Sequence, residues 1–215
     1  LTAHGRPFTR DELALDPVDL AHLLLGSVLE STGPAGTVAA RLVEVEAYRG
    51  EDDPASHCYR GRTDRNRVMW GPAGHLYVYF VYGMHFCANV VGREDGEAGA
   101  VLLRAGEIVE GVELARKRRV AARRDVQLAQ GPARLTSALG IGPQDNGADL
   151  VVPGSSLRLY AGDHVPASRV RSGPRVGVAA AQDTPWRFWV EGSPVVSAYR
   201  RGGRVRRPSS PNPGK

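Results

Sequence analysis

Lysine is almost missing from this 215-residue chain. It stands only at 117 and 215, so 26 of the 28 basic residues are arginine. A mechanism that needs an amine nucleophile therefore has few candidates. Cysteine is nearly as rare. Cys58 and Cys87 make no disulfide framework and no Cys-x-x-Cys pair, which points to a reducing compartment. That is the cytoplasm of a bacterium or the nucleus of a eukaryote. No apolar run approaches the roughly 18 residues of a membrane helix, and Leu1–Arg10 lacks the apolar centre of a signal peptide. There are no internal repeats, no G-x-G-x-x-G and no P-loop, so no nucleotide cofactor is expected. His57, Cys58, His75, His85 and Cys87 match no zinc spacing, and no metal is expected.

What is present suits one soluble domain. Hydrophobic residues make up 42% of the chain, enough for a sizeable core at this length. The net charge is +5. An arginine surplus fits phosphate binding and ring stacking, and equally a genome-wide bias toward Arg, Ala and Gly. Asp16-Pro17 opens a helix with Leu20, Leu23 and Leu24 on its apolar stripe, and Gly26 ends it. Ser31–Gly36 is a turn between a short strand and a long one over Thr37–Tyr48. Asp52-Asp53-Pro54 caps a helical turn. Leu76–Tyr82 and Phe86–Val91 form a hairpin around Gly83-Met84-His85. Further strands are expected over Ala100–Ala105, Leu157–Tyr160, Val176–Ala180 and Arg187–Val190, with helices over Val109–Arg124 and Pro132–Leu139. The class is α+β: a single domain, mainly antiparallel sheet with surrounding helices and a protruding β-hairpin. Residues 1–200 form that domain. From 201 to 215 the chain is basic and nearly free of apolar residues, and reads as a disordered tail.

Candidate chemistry gathers between Arg41 and Asn89. Alternation puts Leu42, Glu44, Glu46 and Tyr48 on one strand face and Val43, Val45 and Ala47 on the other. Glu46 beside Tyr48 sets a potential general base next to a stacking ring. It could equally be a surface carboxylate paired with an arginine, and Glu44 is a rival on spacing alone. Tyr48, His57, Tyr77, Tyr79 and Tyr82 cluster in a chain only 7% aromatic. Tyrosine interleaved with arginine is what a base-stacking site needs, though a sheet core with outward hydroxyls has the same pattern. Arg60, Arg62, Arg65 and Arg67 lie in a long loop and are candidates for contacts to a DNA backbone; a solvated charged loop is the alternative.

These stretches resemble one family. Val43-Glu44-Val45-Glu46-Ala47-Tyr48, His57, Arg65-Asn66-Arg67, Leu76-Tyr77-Val78-Tyr79 and Tyr82-Gly83-Met84-His85-Phe86-Cys87-Ala88-Asn89 carry the likeness. Val101-Leu102-Leu103-Arg104-Ala105, Gly131-Pro132-Ala133-Arg134-Leu135, Arg175-Val176-Gly177-Val178 and Gly192-Ser193-Pro194 complete it. Their order resembles the 3-methyladenine (alkyladenine) DNA glycosylases that lack a helix–hairpin–helix, over roughly residues 15 to 200. The resemblance implies that Glu46 deprotonates a water for attack at the sugar C1′, helped by Arg104 and the backbone carbonyl of Val176. It implies that Tyr48 lies on one face of a flipped base, with His57 and Tyr79 on the other. Tyr82 would wedge into the minor groove, and Asn89 would clash with the 2-amino group of normal guanine. His85, Trp70 and His75 depart from the family's usual residues beside the site. The partner implied is double-stranded DNA containing damaged purines, bound by a monomer without cofactor, and with no amine at hand the product would be an abasic site. A damage-binding protein without chemistry and a hydrolase of free nucleosides are the rivals. Glu46 with Arg104 argues against the first, and Tyr82 with the arginine surplus against the second.

Overall fold

Residues 4–81 and 83–203 are described by the computed structural model. In chain order the elements are β1 (Arg6–Pro7), α1 (Arg10–Leu13), α2 (Pro17–Leu24), β2 (Val28–Gly33), β3 (Gly36–Tyr48), β4 (Leu76–Val81) and β5 (His85–Val91). After these come β6 (Ala100–Glu110), α3 (Val112–Arg118), α4 (Pro132–Leu139), β7 (Leu157–Ala161), β8 (Val170–Gly173) and β9 (Arg187–Val190). Local chemistry sets several ends. The Thr9 side chain and Glu12 make a reciprocal capping box on α1. The Asp16 carboxylate accepts from the Val18 N–H, with Pro17 at the first position of α2.

The strands form an antiparallel sheet in the order β1-β7-β2-β3-β6-β5-β4. β9 pairs with the second half of β3, where β2 has ended, and β8 pairs with β9. This is the α+β arrangement expected, with helices packed on β3, β5 and β6. One sheet face supplies Val45, Ala47, Leu76, Val78, Ala88, Val90, Val101 and Leu103 to a core shared with Leu20, Leu24, Leu135 and Leu139. The alternate residues of β4, β5 and β6 point the other way: Tyr77, Tyr79, Cys87, Asn89, Leu102 and Arg104. Period-two alternation thus separates a dry core from a functional face. Among the described residues no helix is long and apolar enough to cross a membrane.

The β3–β6 register shifts at Ala39/Ala40 and again around Glu44, and the second irregularity corrects a face assignment. Leu42 pairs with Gly106 and Glu44 with Ala105, but Val45 pairs with Leu103. Val43 on β3 and Arg104 on β6 are therefore extra residues, one bulge on each strand. Leu42 consequently joins Val45 and Ala47 in the main core, instead of sharing a face with Glu44. Val43 packs with Ala105 and Val195 on the opposite side.

Two further expectations are overturned. The helix read over Val109–Arg124 is only Val112–Arg118, because β6 continues to Glu110, whose partner is Ala39. Gly111 makes the turn at φ +71°, where a Cβ would stand 2.1 Å from the Thr37 carbonyl oxygen. Val176–Ala180 is irregular chain, not a strand; its backbone serves the site instead. The expected loop Arg49–Gly74 contains 3-10 turns at Gly50–Asp52 and Arg67–Trp70. The β4–β5 hairpin carries exposed Phe80 and Met84 near its tip. Tyr82 and residues 204–215 lie outside the described residues. Arg201–Gly203, read as the start of the tail, is described and packs on the 177–182 segment.

Gly50 takes the chain out of β3 at φ +76°, with a Cβ position 2.2 Å from the Ala98 carbonyl oxygen, whereas Gly61 has φ +88° and open space. Gly61→Ala is expected to cost about 1 kcal/mol from backbone conformation alone. Gly50→Ala must also move backbone and should cost roughly 2 kcal/mol or more. Paired urea unfolding curves check the ranking; equal losses would contradict it.

Candidate active site

Glu46 sits late in β3, fully buried, at the point where β3 is flanked by β6 and β9. Three donors converge on it. The Val176 N–H reaches Oε1 at 2.7 Å, Arg104 Nη1 faces the same oxygen at 3.2 Å, and the Tyr48 hydroxyl donates to Oε2 at 2.9 Å. A carboxylate oxygen offers about two lone pairs. One position on Oε2 is thus left without a partner among the described residues; Glu46 itself is fully buried and reaches the neighbouring cavity only through the side chains that hold it.

Glu44 is equally buried but differently used. Arg104 Nε (2.8 Å) and Arg187 Nε (2.7 Å) both donate to its Oε1, and the Ser197 N–H reaches Oε2 at 2.6 Å. The Ser197 hydroxyl adds a fourth bond at 2.9 Å. Burial opposes its charge, but Arg104, the Ser197 N–H and Arg187 outweigh burial and hold Glu44 below the usual carboxylate range. Arg104 loses some basicity to burial and regains more from Glu46 and Glu44, so its pKa is raised. Two carboxylates and two guanidiniums make the buried group neutral as a whole. The two carboxylates differ in their surroundings: the Glu46 donors Tyr48, Arg104 and Val176 all line the cavity described next, whereas of the Glu44 donors only Arg104 does.

Next to this cluster is a cavity of about 610 Å³, lined by Tyr48, His57, Tyr79, Asn89, Arg104 and Val176 among others. That volume suits a small planar ligand, within the roughly 300–1,000 Å³ usual for such sites. The structure therefore brings the predicted base-binding residues to one wall system beside Glu46. Tyr77 and Tyr79 stack at 5.5 Å, and His57 meets Tyr79 edge-on at 4.6 Å. Burial, then the nearby Glu46, pushes the Tyr48 phenol well above its ordinary value, so it remains a donor. Burial and then Arg65 lower the His57 pKa, which keeps its ring neutral. Asn89 is buried, its amide donating to the Tyr77 carbonyl at 3.1 Å. Arg65 lies 6.0 Å from the Tyr79 ring and lines the cavity; Arg60, Arg62 and Arg67 are exposed and do not line it. A second cavity of about 590 Å³ lies among Val43, Val126, Val190 and Val195, without a comparable cluster of buried charges.

Sequence reasoning missed the support behind Tyr48. Arg175 is fully buried with its guanidinium 4.7 Å from the Tyr48 ring and 5.2 Å from Trp186. Asp53 grips it through two bonds, at 2.5 and 2.8 Å, and the Ala47 carbonyl accepts a third at 2.9 Å. Arg175 does not line the cavity, so it covers the side of Tyr48 turned away from it. No spacing could link residues this far apart. Arg187 left a faint signal, a charge opening an apolar strand run; Ser197 left none.

A model of the methylpurine-DNA glycosylase family matches residues 11–194. A protein of Nocardia farcinica named "Putative 3-methyladenine DNA glycosylase" is 54% identical over 200 residues, 91% of this chain and 92% of the relative. A Streptomyces avermitilis protein of the same name is 54% identical over 196 residues, 90% of this chain and 92% of its own length. One of Mycobacterium tuberculosis, again so named, is 53% identical over 200 residues, covering 91% and 95%. The chain belongs to the methylpurine-DNA glycosylase family.

Two measurements check the electrostatics. Asp53→Ala strands the buried Arg175 charge and should cost about 3–5 kcal/mol in equilibrium unfolding; a loss below about 1 kcal/mol would contradict the pairing. His57 should titrate below its ordinary 6.5, and Arg65→Gln should move it upward. Imidazole nitrogen shifts recorded from about pH 4 to 8 decide both; a wild-type midpoint above the ordinary value would sink the account.

Proposed function

We propose that this family member is a monofunctional DNA glycosylase of base excision repair, acting on alkylated or deaminated purines flipped out of duplex DNA. The observation that carries the reading is that Glu46 is held by Tyr48, Arg104 and Val176, all three of which line the cavity, with one lone-pair position on Oε2 left without a partner among the described residues. A water bound there gives its proton to Glu46 as its oxygen attacks C1′. The C1′–N bond breaks, its electron pair leaves with the base, and the sugar retains a hydroxyl. General-base assistance of this kind is worth roughly 10²–10⁴-fold. Arg104 and Val176 act by fixing the carboxylate, and in this geometry Val176 contributes its N–H.

Flipping costs a few kcal/mol, which a wedge in the minor groove offsets in part. Tyr82, outside the described residues, is assigned that wedge. Tyr48 then covers one face of the base and His57 with Tyr79 the other. Cationic lesions such as 3-methyladenine and 7-methylguanine gain a cation–π contribution between these rings, and the neutral His57 adds no repulsion. Asn89 excludes guanine through its 2-amino group. Arg60, Arg62, Arg65 and Arg67 contact the DNA backbone. Lys117, the lysine of the described fold, is an exposed member of α3 and does not line the cavity. Among the described residues no lysine lines the cavity to form a Schiff base, which supports hydrolysis without strand cleavage.

Single-turnover base release from duplexes carrying 7-methylguanine, hypoxanthine or 1,N6-ethenoadenine tests the reading. Wild type should leave alkali-labile abasic sites, and borohydride should trap no covalent adduct. Glu46→Gln should slow release by at least about 10²-fold while still binding the lesion. A lesion bound by wild type but never released would point to a damage-binding protein instead.

A further inference from the structure

Six charged residues are buried among those described: Glu44, Glu46, Asp53, Arg104, Arg175 and Arg187. Four of them form the cluster around Glu44 and Glu46. The other two, Asp53 and Arg175, make a separate ion pair with both side chains fully buried. Its place is specific. The Arg175 guanidinium lies 4.7 Å from the Tyr48 ring and 5.2 Å from Trp186, and Arg49 lies 5.6 Å from Trp186. Rings and cations thus alternate behind the cavity wall, from Tyr48 through Arg175 and Trp186 to Arg49. Each cation in the series has its own carboxylate, Asp53 for Arg175 and Asp16 for Arg49.

The two partners are also held independently of each other. Asp53 accepts from the backbone N–H groups of Ala55 at 3.0 Å and Arg49 at 3.3 Å. Arg175 donates to the Ala47 carbonyl at 2.9 Å. The Arg175 Nε has no hydrogen-bond partner among the described residues, so the guanidinium is fixed by its two Nη groups and by ring contact.

An apolar side chain could back the Tyr48 ring with less desolvation than an ion pair. What the ion pair adds is control of charge. A lone cation behind the ring would draw its electron density backward and weaken its open face as a seat for a cationic purine. It would also repel such a purine directly. A base in contact with the open face of Tyr48 would lie about 8 Å from the guanidinium carbon. At that distance, with an effective dielectric of about 20, a full charge changes the affinity for another unit charge by about 10- to 30-fold.

We propose that Asp53, acting through Arg175, sets the charge preference of the Tyr48 face and so admits cationic alkylated purines to the cavity. Asp53 is a positioning residue: it touches no substrate, but it orients Arg175 and cancels its charge. The proposal rests on the glycosylase reading, since it takes a purine flipped from duplex DNA as the ligand.

The test compares single-turnover release of 7-methylguanine, a cation, with that of neutral hypoxanthine from otherwise identical duplexes at subsaturating enzyme. Both duplexes meet the same folded fraction of enzyme, so a loss of stability cancels in the ratio of the two rates. Asp53→Asn keeps an accepting oxygen beside Arg175 but leaves the guanidinium, which stays charged in proteins, without a counter-charge. It should lower the ratio of 7-methylguanine to hypoxanthine release by about fivefold or more. Arg175→Gln leaves Asp53 with its two backbone donors and no cation, and should raise the ratio. Loosening of Tyr48 alone would lower the ratio in both variants. Where Asp53→Asn does not fold, Arg175→Gln decides alone. A ratio unchanged in either folded variant, or lowered in both, overturns the proposal and leaves the pair as structural support. Wild type that releases both bases alongside such a result keeps the glycosylase reading. Wild type that releases neither base removes that reading itself.

Discussion

Two carboxylates buried in one strand, Glu44 and Glu46, set the terms for the rest of this protein. An unpaired buried charge is among the most expensive features a fold can hold. The sheet answers with Arg104 from β6 and Arg187 from β9, one on either side of β3. Only a strand with neighbours on both flanks can be served this way, which explains why β9 takes up β3 where β2 ends. The paired bulges belong to the same solution. They turn Arg104 and Glu44 toward one side while Leu42 and Leu103 stay in the core. Such clusters seldom add stability over apolar packing, so the arrangement is better understood as positioning. Arg104 is the guanidinium shared by the two carboxylates.

The same logic runs through the aromatic wall. A tyrosine meant to stack needs a fixed plane, and Tyr48 is fixed from its edge by Glu46 and from behind by Arg175. Arg175 would bring a bare cation close to the proposed seat of a cationic purine, but Asp53 neutralises it. Partial desolvation and then Arg65 lower the pKa of the otherwise exposed His57. The buried groups beside the cavity are thus charge-balanced, while the exposed Arg65 and Arg200 on its wall have no carboxylate partner among the described residues.

The sheet was legible because its signals are local. Period-two alternation in Leu76–Val81 and His85–Val91, the Asp16-Pro17 cap and the Gly131-Pro132 helix start each act within a few residues. The family order of blocks identified Glu46, Tyr48, Tyr79, Asn89 and Arg104 as one constellation, and these do gather in one region. What failed was also local in cause. A helix-like composition over Val109–Arg124 hid the end of a strand that pairs with β3. The bulge at Val43 has no residue signature and reverses a face. The contacts of Arg175 with Asp53, and of Ser197 with Glu44, close over more than a hundred residues. Pattern reading has no access to pairings created only by tertiary packing.

That last contact bears on where the functional unit ends. Glu44 takes two of its bonds from Ser197, beyond the last strand, and the Arg187 guanidinium donates to the Ser197 carbonyl. Without Ser197, Glu44 Oε2 would lose its backbone donor and Arg187 one of its two acceptors. The polar network is buried, so it depends on every member being satisfied. The buried cluster on β3 is therefore completed by Ser197, which follows the last strand, and the chain after β9 is as much part of it as the strands beneath.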